Sequence, residues 1–92
     1  MRKIEQQMVD AIHTRKSWQG GNTTVSNIDD VNSAVYLHGS HIADVNSRTG
    51  FVMVNGSTLR CYPTNTTKSR LRALGVDVAT RKGVTYLNNV AI

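Results

Sequence analysis

The chain has 92 residues, of which 39% are hydrophobic and 18% charged. A chain this short can build only one modest hydrophobic core, so we expect a single domain over residues 1–92. Its longest apolar run, residues 51–54, is far shorter than the about 20 residues of a membrane-spanning helix, and its single cysteine, Cys61, excludes an intramolecular disulfide and a zinc site with several thiolates. These features favour a protein of a reducing cytoplasm without a membrane partner, and the net charge of +5 favours an acidic or phosphate-bearing partner.

The first predicted element is an amphipathic helix over residues 2–16. Apolar residues recur there with the spacing of one helical face, with polar residues between them, at Ile4, Met8, Ala11 and Ile12. Residues 17–22 are predicted to end the helix as a turn, because two adjacent glycines and an asparagine disfavour its continuation. Trp18 follows the helix directly, and two interpretations stay open: a plug over the edge of the core, or an exposed stacking or docking residue.

From residue 23 onward, β-forming residues with a period of two replace the helical pattern. A short strand is predicted over residues 23–28, followed by a polar loop. Residues 34–38 and 41–45 should form a hairpin around Gly39-Ser40, because a pair that begins with glycine suits a type II′ turn. The resulting register places Leu37 opposite Ile42 and His38 opposite His41.

A second hairpin is predicted around Asn55-Gly56, the strongest short turn signal in the chain. It joins a strand over residues 51–54 to a return strand over residues 57–62. Cys61 lies in that return strand and is interpreted as a small buried hydrophobic residue. Pro63 then ends the sheet, because proline cannot donate a ladder hydrogen bond.

A short second helix is predicted over residues 64–74, since capping residues precede it and Gly75 follows it. Residues 76–79 and 84–87 should form a last hairpin around a tip at 80–83. The predicted fold class is therefore α+β, with an N-terminal helix, an antiparallel β-meander, a short second helix and a C-terminal β-hairpin.

The charge is distributed unevenly along the chain. Residues 1–46 contain four Lys and Arg against five Asp and Glu, a net −1, whereas residues 47–92 contain seven against one, a net +6. A segment with this composition creates a positive field that attracts phosphate groups or acidic protein surfaces. The alternative interpretation is an ordinary solubilising charge.

The candidate anion-binding residues lie mainly in the second helix and at the tip of the last hairpin. On a helical wheel, Lys68 and Arg72 lie about 40° apart, and Arg70 lies on the other flank of the apolar stripe. Free amides and threonine hydroxyls at a helix start also suit a phosphate oxygen. The full set of candidate nucleic-acid or anion-binding residues is Lys68, Arg70, Arg72, Arg81, Lys82, Thr66, Thr67 and Arg60.

No catalytic motif can be recognised, because the chain has no catalytic triad order, paired-carboxylate motif, P-loop or dinucleotide fingerprint. We therefore expect a protein that is not an enzyme and has no cofactor. His38 and His41 could begin a metal site, but no third ligand is evident and no metal is expected. The candidate residues for docking a protein are Trp18, Tyr36, His38 and His41.

Four segments in this order resemble a family of small proteins encoded by tailed bacteriophages. They are Trp18 with residues 21–25, residues 35–39 with 42–43, residues 63–75, and residues 83–87. Tyr62 and Arg72 stand where the family usually has tryptophan and asparagine, which adds a charge here. The resemblance implies a phage accessory protein in the cytoplasm of an infected bacterial host, acting in takeover or counter-defence by stoichiometric binding.

The leading functional hypothesis is a protein, not an enzyme, whose basic C-terminal half binds nucleic acid through phosphate contacts. Helix 64–74 and the tip at 80–83 would carry these contacts. Two alternatives stay open: a stoichiometric inhibitor that docks on an acidic host protein, and a protein that sequesters a small phosphorylated ligand at the second helix. Pairing of edge strands into a homo-oligomer is a further open prediction.

Overall fold

The computed structural model describes residues 2–92, and its first element is the N-terminal helix. This helix, α1, spans Lys3–His13 and confirms the predicted element, although it ends three residues earlier than predicted. Arg15 has a left-handed φ of 58°, so the chain has already left the helix at that residue. The apolar stripe is buried as predicted, and Glu5 is buried beside it.

A five-stranded antiparallel sheet follows α1 and contains the predicted meander. Its strands, hydrogen-bonded in chain order, are β1 (Trp18–Gly20), β2 (Thr23–Asn27), β3 (Asn32–Leu37), β4 (Ser40–Asn46) and β5 (Val52–Val54). The edge strand β1 replaces the predicted broad turn over residues 17–22. The turn is tighter because Gly21 adopts a φ of 57°, which allows Trp18 to pair with Val25.

The turn between β3 and β4 differs from the predicted one by one residue. His38 and Gly39 have φ angles of 52° and 79°, and two successive positive φ angles are typical of a type I′ turn. The turn pair is therefore His38-Gly39, and Leu37 pairs with Ser40. The predicted pairs of Leu37 with Ile42 and of His38 with His41 are wrong, because the type I′ turn closes one residue earlier in the chain.

The predicted return strand over residues 57–62 is wrong, because most of this segment is helical. Helix α2 spans Gly56–Cys61, and the Asn55 side chain caps it by accepting a hydrogen bond from the Thr58 amide at 3.2 Å. Leu59 is buried and packs the helix against the core. Cys61 is exposed at the last position of α2, so its interpretation as a buried residue is also wrong.

The next element confirms the predicted second helix. Helix α3 spans Asn65–Ala73, and the Thr64 hydroxyl accepts a hydrogen bond from the Thr67 amide at 3.1 Å. Gly75 follows the helix with a φ of 93°, a conformation that favours glycine. Both helix ends were predictable from the sequence because the residues that mark them, Thr64 and Gly75, lie directly beside the helix.

A three-stranded antiparallel sheet ends the chain and contains the predicted hairpin. Its strands are β6 (Val78–Arg81), β7 (Val84–Leu87) and β8 (Val90–Ala91). The β6–β7 turn is Lys82-Gly83, with φ angles of 51° and 78°, so the tip is tighter than the predicted residues 80–83. Strand β8 was not predicted; a second turn at Asn88-Asn89, also with positive φ angles, returns the chain to β7.

The core lies between the helices and one face of the five-stranded sheet. Val25, Val35 and Ala43 are aligned across β2, β3 and β4 and are buried on this face. All three helices contribute side chains to the same cluster, together with Val76 and Val78 after α3. Because strand side chains alternate between faces, the opposite face of this sheet carries mostly half-buried and exposed side chains, although Ala34 is buried there. The molecule is thus an α+β protein, as predicted.

Candidate nucleic-acid interface

Arg70, the predicted centre of the basic surface, lies in the core. Its side chain is 3% exposed. Nη1 donates to the Glu5 carboxylate at 2.7 Å, and Nε donates to the Thr23 hydroxyl at 3.0 Å. Its prediction as an anion-binding residue on the surface is therefore corrected: an arginine is rarely this buried unless it is paired, and its partner is a carboxylate of the protein itself.

Glu5 completes this buried cluster from α1. Its carboxylate accepts hydrogen bonds from the Ser69 hydroxyl, from the Arg2 amide at 3.2 Å and from Arg70. Burial raises the pKa of Glu5, but these hydrogen bonds and the attraction of Arg70 outweigh it, so the pKa lies below its ordinary value. The cluster joins α1, α3 and the start of β2.

Lys68 is also largely buried, but it has a different partner. The residue is 7% exposed, and Nζ donates to the Thr80 hydroxyl on β6 at 2.5 Å. Among residues 2–92 the carboxylates within 4 Å of a basic side chain are Glu5, beside Arg70, and Asp44, beside His41, so neither they nor the other described carboxylates pair with the Lys68 ammonium. Lys68 was predicted to lie on an open surface. The structure places it instead at the seam between α3 and β6.

Three predicted cations are exposed around α3 and the C-terminal sheet. Arg72 donates from Nε to the Val78 carbonyl at 2.9 Å, and the guanidinium carbon of Arg81 lies 5.3 Å from the centroid of the Tyr86 ring. Lys82 occupies the β6–β7 turn. These contacts orient the cations without neutralising them, because the partners are a carbonyl and an aromatic face. The structure therefore places Arg72 against the start of β6, and Arg81 and Lys82 at the other end of the same strand.

The remaining predicted anion-binding residues lie elsewhere or serve the fold. Arg60 is exposed in the last turn of α2. Thr67 is buried and its hydroxyl lies 3.0 Å from the Thr64 hydroxyl, while Thr66 is half-buried. Arg48, in the loop between β4 and β5, is exposed and was not among the predicted residues, although its charge was visible in the sequence.

A cavity of about 300 Å³ lies beside the start of α3, where the sequence suggested a phosphorylated ligand. Its lining contains hydroxyl-bearing, apolar and imidazole side chains: Leu37, His38, Ser40, Ile42, Thr58, Tyr62, Thr64 and Thr67. No lysine or arginine is part of this lining. A phosphate bound there would lack the cation that phosphate sites usually provide, so the cavity does not favour this alternative.

The predicted docking residues divide between the two faces of the five-stranded sheet. Tyr36 and His41 are paired on the face away from the helices, with ring centroids 5.5 Å apart, and His41 Nε2 lies 2.7 Å from Asp44. His38 is exposed in the turn. Trp18 is half-buried and packs against the core, which favours its interpretation as a plug.

A shallow apolar cleft lies at one end of the face that bears Tyr36 and His41. It has a volume of about 230 Å³, and its apolar walls are Ile28, Phe51 and Met53. Each of these three side chains is more than half exposed. The sequence predicted none of them as docking residues, because isolated apolar residues near strand ends resemble core positions.

The described residues form neither a metal site of three ligands nor a membrane-spanning helix. Within residues 2–92, no three His, Cys, Asp or Glu side chains are grouped closely enough to hold a metal ion. Over the same residues, no helix combines the length and the apolar composition needed to cross a membrane.

Comparison with known proteins relates the chain to phages. Residues 1–91 match the family described as Kyanoviridae Gp96 protein, whereas no curated protein and no solved structure matches. The family match covers almost the whole chain, including every helix and strand described above, and it confirms the resemblance to proteins of tailed phages. The chain therefore belongs to the Kyanoviridae Gp96 protein family.

Proposed function

We propose that this phage protein is not an enzyme and binds nucleic acid in the cytoplasm of the infected host, through phosphate contacts from its C-terminal half. The main support for the proposal is the positive charge on the surface of residues 47–92, counted without the buried cations Lys68 and Arg70. Within residues 47–92, five cations are exposed against the single exposed acid Asp77, which leaves four net positive charges. The exposed cations are Arg48, Arg60, Arg72, Arg81 and Lys82.

The arrangement of these cations supports contacts to the phosphate backbone more than the reading of bases. Arg81 and Lys82 occupy a hairpin tip, and Arg72 reaches the first strand of the same hairpin. A tip with two cations can contact phosphates along a backbone, whereas reading a base sequence needs several side chains at base edges. We therefore expect binding with little sequence preference and with a strong dependence on salt.

The test is a fluorescence-anisotropy titration with generic double- and single-stranded DNA at about 50 and about 200 mM salt. We expect the affinity to fall steeply between the two salt concentrations. The double variant Arg81→Gln with Lys82→Asn should reduce the slope of log affinity against log salt by about 0.7 to 0.9 for each lost contact. Asparagine is chosen at position 82 because it tolerates the positive φ found there.

A matched control removes the same charge from the other half of the chain. Lys3 and Lys16 are both exposed, and the double variant Lys3→Gln with Lys16→Gln changes the net charge by the same amount. This control should keep the salt slope of the unmodified protein. Equal losses in both double variants would show that the net charge, and not this surface, governs binding; an absence of binding at low salt would refute the proposal.

The second candidate is a stoichiometric inhibitor of a host protein. It is favoured by the exposed apolar walls of the cleft formed by Ile28, Phe51 and Met53, since grouped exposed apolar side chains are typical of protein interaction sites. Capture of a host protein that survives nuclease treatment, and that is lost in the variant Met53→Ser, would favour this candidate over nucleic acid.

A further inference from the structure

The seam between α3 and β6 has the features of a specific phosphate site. We propose that Lys68, Thr80 and Arg72 bind a phosphate group there, as the anchoring contact of the nucleic-acid surface. This inference rests on the proposed function for the source of the phosphate, a phosphodiester, but the site itself is argued from three side chains and their hydrogen bonds.

The Lys68 ammonium has no carboxylate partner among the described residues. Lys68 is 7% exposed and bonds to one hydroxyl, that of Thr80. An ammonium has three donors and a full positive charge, and burial away from water is unfavourable unless the charge is compensated. The other buried cation among residues 2–92, Arg70, has a carboxylate partner at 2.7 Å, so the same fold does compensate a buried cation with a carboxylate elsewhere.

A ligand can approach the Lys68 ammonium from the side of Thr80. Thr80, the residue that accepts from Nζ, is exposed on β6, so a ligand bound to its hydroxyl would lie beside the ammonium. The Thr80 hydroxyl accepts from Nζ and keeps its own proton to donate outward. An oxyanion at this point would meet the remaining donors of Lys68 and the hydroxyl proton of Thr80 together.

Arg72 lies one helical turn after Lys68 on α3. Its Nε donates to the carbonyl of Val78, two residues before Thr80 on the same strand. This contact leaves the terminal nitrogens of the guanidinium free to donate, and the described hydrogen bonds assign them no other partner. A guanidinium with two free donors suits bidentate contact with a phosphate. Asp77, the nearest acid in sequence, forms no ion pair within residues 2–92.

The test compares the thermal stability of Lys68→Met with that of the unmodified protein in inorganic phosphate. At a phosphate concentration about five times the Kd, we expect phosphate to raise the Tm of the unmodified protein by about 5 °C and to leave that of Lys68→Met unchanged. The control is Lys16→Met, which removes an exposed lysine from the N-terminal half and should keep the full phosphate response. An equal rise in Lys68→Met would overturn the site, as would no rise in the unmodified protein.

A second variant, Thr80→Val, keeps a β-branched residue in β6 and removes only the hydroxyl at an exposed position. It should also lose most of the phosphate response, and it carries the test alone if Lys68→Met does not fold. A short DNA oligonucleotide then identifies the source of the phosphate. We expect both variants to bind the oligonucleotide about 10-fold more weakly at low salt, with a smaller slope of log affinity against log salt. This result would support a phosphodiester as the source of the phosphate.

The outcomes separate this inference from the proposed function. If the oligonucleotide binds both variants as tightly as the unmodified protein, the seam site is overturned while nucleic-acid binding stands. If inorganic phosphate raises the Tm only through Lys68 and Thr80 but no oligonucleotide binds, the seam site is supported with a free phosphorylated compound as its ligand, and the nucleic-acid proposal fails.

Discussion

At the scale of single residues, the buried pair of Glu5 and Arg70 explains why a basic helix packs as part of the core. Removing two charges from water costs several kcal/mol for each ion unless geometry and hydrogen bonds compensate. Here the Arg70 guanidinium donates to the carboxylate and to Thr23, and the carboxylate also accepts from Ser69. The pair fixes α1 against α3, so a charge reversal at Arg70 would report on folding before it reported on any ligand.

The variant Arg70→Met should lower the free energy of unfolding by about 3 to 5 kcal/mol at neutral pH, because it leaves the Glu5 carboxylate buried without its counter-ion. In the unmodified protein the pKa of Glu5 lies below its ordinary value. The charged Glu5 carboxylate therefore contributes its full stability above the pKa of a glutamate in the unfolded chain, about 4.3. This contribution is lost as the pH falls through the lower pKa that Glu5 has in the folded protein. The two proteins should thus approach each other in stability at acidic pH.

Urea denaturation of both proteins between pH 7 and pH 3 measures this convergence. The control is Arg48→Met, which removes an exposed arginine and should change the free energy of unfolding by less than about 0.5 kcal/mol. A destabilisation of Arg70→Met that stays constant at every pH would contradict a role for the Glu5 charge. It would leave lost packing of the long arginine side chain as the cause.

At the scale of elements, the parts of the fold that follow from local patterns were predictable. The spacing of apolar residues indicated α1, and the cap at Thr64 and the glycine at position 75 marked both ends of α3. The error at α2 has an equally local origin, because asparagine before glycine favours a hairpin turn and asparagine also favours a helix start. The burial of Leu59 decides between them, and burial depends on the rest of the chain.

The candidate site was less predictable than the fold. The predicted surface depended on which cations are exposed, and the burial of Arg70 depends on Glu5, which lies 65 residues away in the sequence. No pattern within a helix-length window contains that contact. The exposed cations at the hairpin tip, Arg81 and Lys82, were placed correctly because a short turn between two strands is a local feature.

The helical state of α2 predicts opposite effects for substitutions at Asn55 and Gly56. Asn55→Ala removes the cap and should cost about 1 kcal/mol in the free energy of unfolding. Gly56→Ala should be neutral or stabilise by up to about 1 kcal/mol, because open space surrounds the new Cβ and φ lies outside the left-handed region. Urea midpoints measure both changes. A hairpin turn at the same pair would require a positive φ at Gly56, and Gly56→Ala would then destabilise the protein.

At the scale of the whole molecule, the two sheets have unequal support. The five-stranded sheet is covered by helices on one face and contributes fully buried residues such as Val35. The C-terminal sheet contributes one buried core side chain, Val78, with Leu87 partly buried beside it, while Val84 and Val90 are exposed. Protection against local opening increases with buried apolar contact, so the molecule should combine a rigid sheet with a less protected sheet that carries the basic tip.

Hydrogen exchange of the backbone amides should reveal this difference directly. Amides of β3 and β4 should exchange only through global unfolding, whereas amides of β7 and β8 should exchange faster through local opening. Addition of an oligonucleotide should then slow exchange in β6 and β7 more than in β3, because a ligand held by Lys68, Thr80 and Arg72 stabilises the closed state of the weaker sheet. Slower exchange confined to β4 and β5 would instead place the oligonucleotide on the face that bears Met53, and would contradict phosphate binding at the C-terminal sheet.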